Sequence, residues 1–223
     1  MMFATYASTS WMAYGAGLGA LGFWPMRKRM RQFRWGIVVT MVGLHLGMNG
    51  PVWSLIEKVD ITGGSSSYHR YMLVDNCIRH FGDWWLFGFK NYGSWGFDMW
   101  DLCNQFVAVA LTGGLISLIL FIAIYSRSFG AIGNARKRVS GKRDQEWLLW
   151  CLGSALFANV VASFGINCMV QLEMALFAVL ACISVATIST NHAAARKIGS
   201  TNEFSLATTS RMAGNYRPLR EMR

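Results

Sequence analysis

Residues 104–125 read NQFVAVALTGGLISLILFIAIY, a run without a single charged side chain. A hydrocarbon layer of about 30 Å is crossed by roughly 20 consecutive apolar residues in a helix, and this run has that length. Four more blocks of the same kind stand on either side of it: Thr5–Trp24 and Trp35–Leu55 before it, Trp147–Phe164 and Met169–Ser189 after it. Of 223 residues, 53% are hydrophobic and 14% charged, whereas a soluble domain is nearer a quarter charged. The sequence therefore predicts an all-α integral membrane protein with about five transmembrane helices.

The net charge of +10 raises the question of nucleic acid, and its placement answers it. Arg27, Lys28, Arg29, Arg31 and Arg34 lie between the first two blocks. Arg127, Arg136, Lys137, Arg138, Lys142 and Arg143 lie between the third and fourth, and six more Lys/Arg lie in the tail. The long segment before Asn104 holds only Lys58, Arg70, Arg79 and Lys90. Basic residues gathered in alternate connections are the signature of cytoplasmic loops, not of a nucleic-acid surface. The resulting domain plan has two helices and a basic cytoplasmic loop over 1–55, and an extracytoplasmic loop over 56–103. Three helices follow over 104–189, and a basic cytoplasmic tail over 190–223. The first helix starts outside. It lacks a basic leader segment and ends in positive charge, unlike a cleaved signal peptide, so the expectation is that further helices precede it.

The five cysteines form no CxxC pair, which argues against a zinc or redox motif. Cys77 and Cys103 flank the aromatic part of the long segment, where an oxidising compartment would allow a disulfide between them. The first block carries GAGLGALGFW, a Gly/Ala pattern that suits close packing of membrane helices. In the fifth block, Glu173 and Gln171 are the notable polar residues. An intramembrane carboxylate is a functional candidate by default, although this one sits near the outer end where water reaches it. His45 in the second block reads as a packed, hydrogen-bonded histidine or a weak proton-relay candidate.

Residues 65–85, SSSYHRYMLVDNCIRHFGDWW, supply helix-capping serines and then an amphipathic helix. At 100° per residue, Arg70, Tyr71, Val74, Ile78 and Phe81 share one face, with Leu73 and Cys77 at its edge. His69, Asp75, Asn76, Arg79, His80 and Asp83 share the other. Such a helix lies at a membrane surface. Arg70 on the apolar face requires a partner: an internal carboxylate such as Asp98 or Asp101, a phosphate held in a bidentate fork, or water reached by snorkelling. His69 and His80 belong either to a solvated face or to general-base chemistry, imidazole being the side chain that changes charge near neutral pH. They are eleven positions apart, too far to share one metal ion, so the spacing indicates no metal. The following stretch, WWLFGFKNYGSWGFDMWD, is aromatic enough either to anchor at the membrane interface or to stack on sugar rings.

The order of these features resembles the C-terminal half of the O-antigen ligase and polymerase superfamily. The matching features are serines followed by Arg70, an amphipathic helix, the aromatic-glycine turn WWLFGFKN, and CNQF opening a helix that contains TGGLISLILF. The motif overlap covers about residues 60–125. The resemblance implies transfer or polymerisation of undecaprenyl-pyrophosphate-linked glycans at the outer face of a bacterial inner membrane, with no metal, nucleotide sugar or other cofactor.

On that resemblance Arg70 matches the family's loop arginine and Asn104 the asparagine of its His-Asn pair. The family's histidine is replaced by Cys103, so His69, His80 or Asp101 would have to supply the acid–base function. Substrate contacts fall to Arg70, Arg79, Trp84, Trp85, Trp95 and Asn104. The family usually has about ten to twelve helices, and a missing half or a partner subunit is implied. The alternative is a catalytically inactive fragment, or a non-enzymatic membrane subunit that binds a lipid-linked glycan or a protein.

Overall fold

The uncharged run at 104–125 forms a helix that is longer than its apolar part. In the computed structural model, which describes residues 8–47, 66–96, 99–166 and 173–190, this helix (α5) spans Gln105–Arg138. It continues through Arg127, Arg136, Lys137 and Arg138, so the expected basic loop shrinks to a turn at 139–142, with Gly141 at φ 97°. The physical reason is that basic side chains favour the last turn of a helix, where the dipole is negative. The next helix, α6 (Arg143–Ser163), opens with Asp144 and Glu146, where the dipole favours acids. A third long helix, α7, spans Glu173–Thr190.

These three helices are long and apolar enough to cross a membrane. Only 28%, 33% and 17% of their most apolar windows are buried inside the fold. Ile116, Ile119 and Leu120 of α5 and Met174, Phe177 and Val185 of α7 face outward, an apolar surface well beyond what a soluble monomer presents. On the inner side, Tyr125, Ile132, Leu149, Leu156, Leu176 and Ile183 form one core. Its polar element is a buried bond in which Tyr125 donates its hydroxyl to Asn159 Oδ1 at 2.7 Å.

The first two blocks are described over part of their length, as helices at Ser8–Gly22 and Met30–Gly47. Helix α1 covers Ser8–Gly22, about 22 Å at 1.5 Å per residue, and ends in a 3-10 turn at Trp24–Arg29 begun by Pro25. Helix α2 covers Met30–Gly47, with its apolar part at Trp35–Gly47. Gly50-Pro51, Gln171 and the tail after Thr190 lie outside the described residues. His45 falls in the last turn of α2 on an exposed stretch.

Helix α1 runs antiparallel to α6. Thr9 donates its hydroxyl to Gly165 O at 3.2 Å beyond one end of α6, and Trp150 donates its indole N–H to Ala20 O near the other. Between them a Cβ on Gly17 would stand 3.3 Å from the Ala158 methyl. The Gly/Ala pattern is thus used for close helix contact, as small residues are in membrane helix pairs.

The segment before α5 folds back onto α5. Helices α3 (Ser66–Arg79) and α4 (Phe81–Trp84) precede a 3-10 turn at Tyr92–Trp95. Leu73, Cys77, Trp84 and Met99 pack with Val107, Ala110 and Leu111 in a second core. The edge of α3 bearing Leu73, Asn76 and Cys77 is buried, while Ile78 and Phe81 of its apolar face are 47% and 45% exposed. An outward apolar face on a helix flanking membrane spans is what an interfacial helix presents to lipid.

Helix α5 is interrupted at Gly114, where φ is 72° and ψ −171°. The helical bond from Leu115 N–H to Leu111 O is replaced by two bonds to the aromatic turn. Phe89 N–H donates to Leu111 O at 2.7 Å, and Leu115 N–H donates to Trp85 O at 2.9 Å. Backbone polar groups in an apolar setting need such partners. The fit admits no side chain: a Cβ on Gly88 (φ 82°) would stand 2.2 Å from Leu111 O, and one on Gly114 2.6 Å from Leu86 O. Residues 85–89 therefore lie beside the tenth residue of α5, about 14 Å along it from its start.

Candidate functional site

The two ends of this bundle differ in chemistry. At one end Arg27 pairs with Glu146 at 3.5 Å and lies over the Trp24 ring, and Arg136 lies over the Trp150 ring. This end brings together Arg27 and Arg136, one from each of the first two basic stretches. The other end joins the start of α3, the stretch before α5, the start of α1 and the end of α6, and His69, Arg70, Asp101, Cys103 and Asn104 meet there.

Three of them converge. His69 Nε2 lies 2.9 Å from Asp101 O, and the Cys103 thiol donates to Asp101 Oδ2 at 3.3 Å. The ligand-type atoms of His69, Asp101 and Cys103 all lie within 4.8 Å of one another. His69 and Cys103 are half-buried and Asp101 is exposed, so the group is reachable from outside. Its local cause is clear. Asn104 is buried and caps α5, accepting from Phe106 N–H and Val107 N–H at 2.9 and 3.3 Å. That cap fixes the direction of residues 101–103 against the first turn of α3. Asn104, expected from the resemblance to contact substrate, has its side-chain oxygen engaged in this cap.

Arg70, next to His69, is held in a seam between helices. Its Nη2 donates to Thr9 Oγ1 at 2.9 Å, and Thr9, itself buried, donates onward to Gly165 O. A Cβ on Gly165 would stand 2.4 Å from the Thr9 side chain, so the glycine allows the approach. This chain of bonds ties α3 to α1 and to the end of α6. Asp98, one of the carboxylates considered for Arg70, lies outside the described residues.

The remaining expected residues form a separate group. His80 follows α3, some 16 Å from His69 along the helix. Its ring stacks on Trp95 at 4.7 Å, and Trp95 stacks on Phe89 at 5.3 Å. His80 Nδ1 also lies 3.3 Å from Asp83. Arg79 is on the face of α3 opposite Arg70 and donates to Asp75 at 2.6 Å, so the two arginines do not converge. Trp84 is buried, with its indole N–H donated to Cys77 O at 2.7 Å, which leaves no face for a sugar ring. Trp85 is 46% exposed beside the broken turn of α5.

Cys77 and Cys103, considered above as a disulfide, are not joined in one. Burial pushes the Cys77 thiol up to about 11. Glu173 is the first described residue of α7 and is exposed. Sequence spacing alone misses the role of Cys103 in the group, because Cys103 stands 34 positions from His69 and is brought near it only by the fold. The only signal for it is its place directly before the helix-capping Asn104.

Comparison with known proteins gives no match: no family model, curated protein or solved structure aligns significantly with the chain.

Proposed function

We propose that this chain acts in the transfer or polymerisation of undecaprenyl-pyrophosphate-linked glycan at the outer face of a bacterial inner membrane. The observation that carries this reading is the convergence of His69 and Asp101 beside Arg70, at the end of the bundle opposite its basic end. A second observation supports the resemblance. The aromatic-glycine turn and the TGGLIS run, two of its motifs, interlock through Gly88 and Gly114. Because the 85–89 turn lies beside the apolar part of α5, this reading gives it a position dipping into the outer leaflet. A polyprenyl chain would run past its exposed aromatics there.

In the reaction, an acceptor hydroxyl oxygen bonds to the anomeric carbon, and the bond from that carbon to the pyrophosphate oxygen breaks. The lipid diphosphate leaves with the electron pair. A neutral His69 that donates Nε2–H to the Asp101 carbonyl keeps its lone pair on Nδ1, the nitrogen able to take the hydroxyl proton. Arg70 is the group fitted to the leaving diphosphate, because a guanidinium binds a phosphate as a planar fork and stabilises the charge that develops on it. Arg79, already paired on the opposite face, takes no part.

The test uses the full chain in liposomes with an undecaprenyl-pyrophosphate oligosaccharide and a glycan acceptor, following glycan transfer. His69→Gln should lower the rate by about 10²–10⁴-fold, the usual share of a general base. Arg70→Lys, which keeps charge but loses the planar fork, should weaken donor binding while the protein stays folded. Full turnover in both variants would end this assignment of roles. The non-enzymatic reading has its own support: Cys103 stands where the superfamily carries histidine, and Asn104 serves as a helix cap. It predicts donor binding without turnover in the unmodified chain.

A further inference from the structure

We infer that His69, Asp101 and Cys103 form a binding site for a borderline divalent metal ion of the Zn²⁺ class. The donor set is one imidazole nitrogen, one carboxylate oxygen and one thiol sulfur, drawn from the first turn of α3 and the approach to α5, with all three atoms within 4.8 Å of one another. Zinc bound at about 2.0–2.3 Å from such donors sets neighbouring ligand atoms roughly 3.3–3.8 Å apart. Cys103 Sγ and Asp101 Oδ2 are already 3.3 Å apart, so His69 is the only one of the three that must close in.

That closure is a small step. His69 Nε2 lies against the Asp101 carbonyl, a bond at an exposed position whose net worth is about 1 kcal/mol. Releasing it, and placing the ring proton on Nδ1, turns the Nε2 lone pair toward the ion. The Cys103 thiol gives up its proton to solvent as its sulfur becomes a ligand. Imidazole with thiolate selects zinc-like ions over Mg²⁺ or Ca²⁺, which prefer all-oxygen shells. Three protein ligands leave a fourth position for water, an open rather than a purely structural site.

Metal binding here is independent of the glycan reading. Its consequence rests on that reading: an ion holding His69 in the Nε2-ligating form, with Arg70 one residue away, would block transfer, so the site would act as an inhibitory zinc sensor of the same centre.

The experiment is cobalt titration of the purified full chain in detergent, prepared without a polyhistidine tag. A thiolate-to-cobalt charge-transfer band with the visible bands of a four-coordinate ion is expected, bleached by one equivalent of Zn²⁺. Cys103→Ser should abolish the charge-transfer band. His69→Ala and Asp101→Asn should each weaken binding by at least the roughly 10- to 100-fold that loss of an outer-shell partner costs. Cys182→Ser, on exposed α7, should leave the band intact. Circular dichroism establishes that each variant is folded. Absence of the band in the unmodified protein, or its survival at equal affinity in Cys103→Ser, would overturn the proposal. Zinc binding together with glycan transfer that zinc does not slow would leave the metal site standing and refute the inhibitory role.

Discussion

The two halves of α5 are built from similar apolar residues and held by different forces. From Leu115 to Arg138 the helix is regular, packed by Ile132, Leu149, Leu156 and Leu176 and crossed by the Tyr125–Asn159 bond. From Gln105 to Gly114 it is capped by Asn104, broken at Gly114 and completed by backbone bonds from residues 85–89. The second half needs shape and volume, which many sequences supply. The first needs glycine at two positions where the chain allows no Cβ. A packed span can be rebuilt by substitution, whereas a clasped one fixes both segments, and the His69–Asp101–Cys103 group is set on the clasped half.

The sharpest way to break this contrast is Gly114→Ala. Gly114 has φ 72° and ψ −171°, a region essentially restricted to glycine that costs an L-residue about 1–3 kcal/mol, and the new methyl would also press on Leu86 O, so a loss of at least about 2 kcal/mol is expected. It should be read as a lower unfolding midpoint in detergent, with new protease cleavage in residues 80–100. Gly130→Ala in the regular half, where a Cβ meets nothing within 4 Å, should be neutral or stabilising. Equal stability of the two variants would remove the distinction.

A smaller effect is expected from Asn159→Ala, which strips one partner of Tyr125 inside the packed half. Buried hydrogen bonds between membrane helices average about 0.6 kcal/mol and reach about 1.7, so a loss of about 1 kcal/mol should appear in the same unfolding assay without new cleavage in residues 80–100. Smaller still is Glu146→Gln at the basic end. Its pair with Arg27 is partly exposed, and after screening it should contribute no more than about 0.5 kcal/mol.

Thiol labelling sharpens the contrast without changing stability. With its pKa raised to about 11, Cys77 holds roughly one thiolate in a thousand at pH 8. A maleimide should therefore spare Cys77 in the folded protein and label it once Gly114→Ala loosens the clasp. Rapid labelling of Cys77 in the unmodified protein would contradict its place in the second core.

Much of the packed half was legible. Blocks of apolar residues announced α5, α6 and α7, and the Gly/Ala pattern announced close packing of α1 without naming α6 as its partner. The end of α5 was not, because basic residues suit a membrane boundary and a helix C-terminus equally well, and here Arg136, Lys137 and Arg138 form the last turn of the helix. The clasp was half legible: WWLFGFKN read as an aromatic-glycine turn, but TGGLIS read as unbroken helix, and nothing in either stretch says that one completes the other. The histidines were read along one helix, where His69 and His80 are too distant to cooperate. The contact that matters runs across the fold to Asp101 and Cys103, and helix periodicity carries no information about it.

The central claim, that residues 85–89 clasp the broken turn of α5 within the apolar layer, is tested most directly by a spin label at Phe87, which is 84% exposed. The label would be introduced as Phe87→Cys with the other cysteines changed to serine, in liposomes, and compared with one at Leu120 on the outward face of α5. The account predicts that both labels collide readily with dissolved oxygen and poorly with a water-soluble nickel chelate. A label at Phe87 quenched by the nickel chelate, while Leu120 is protected, would place the turn in water and contradict it.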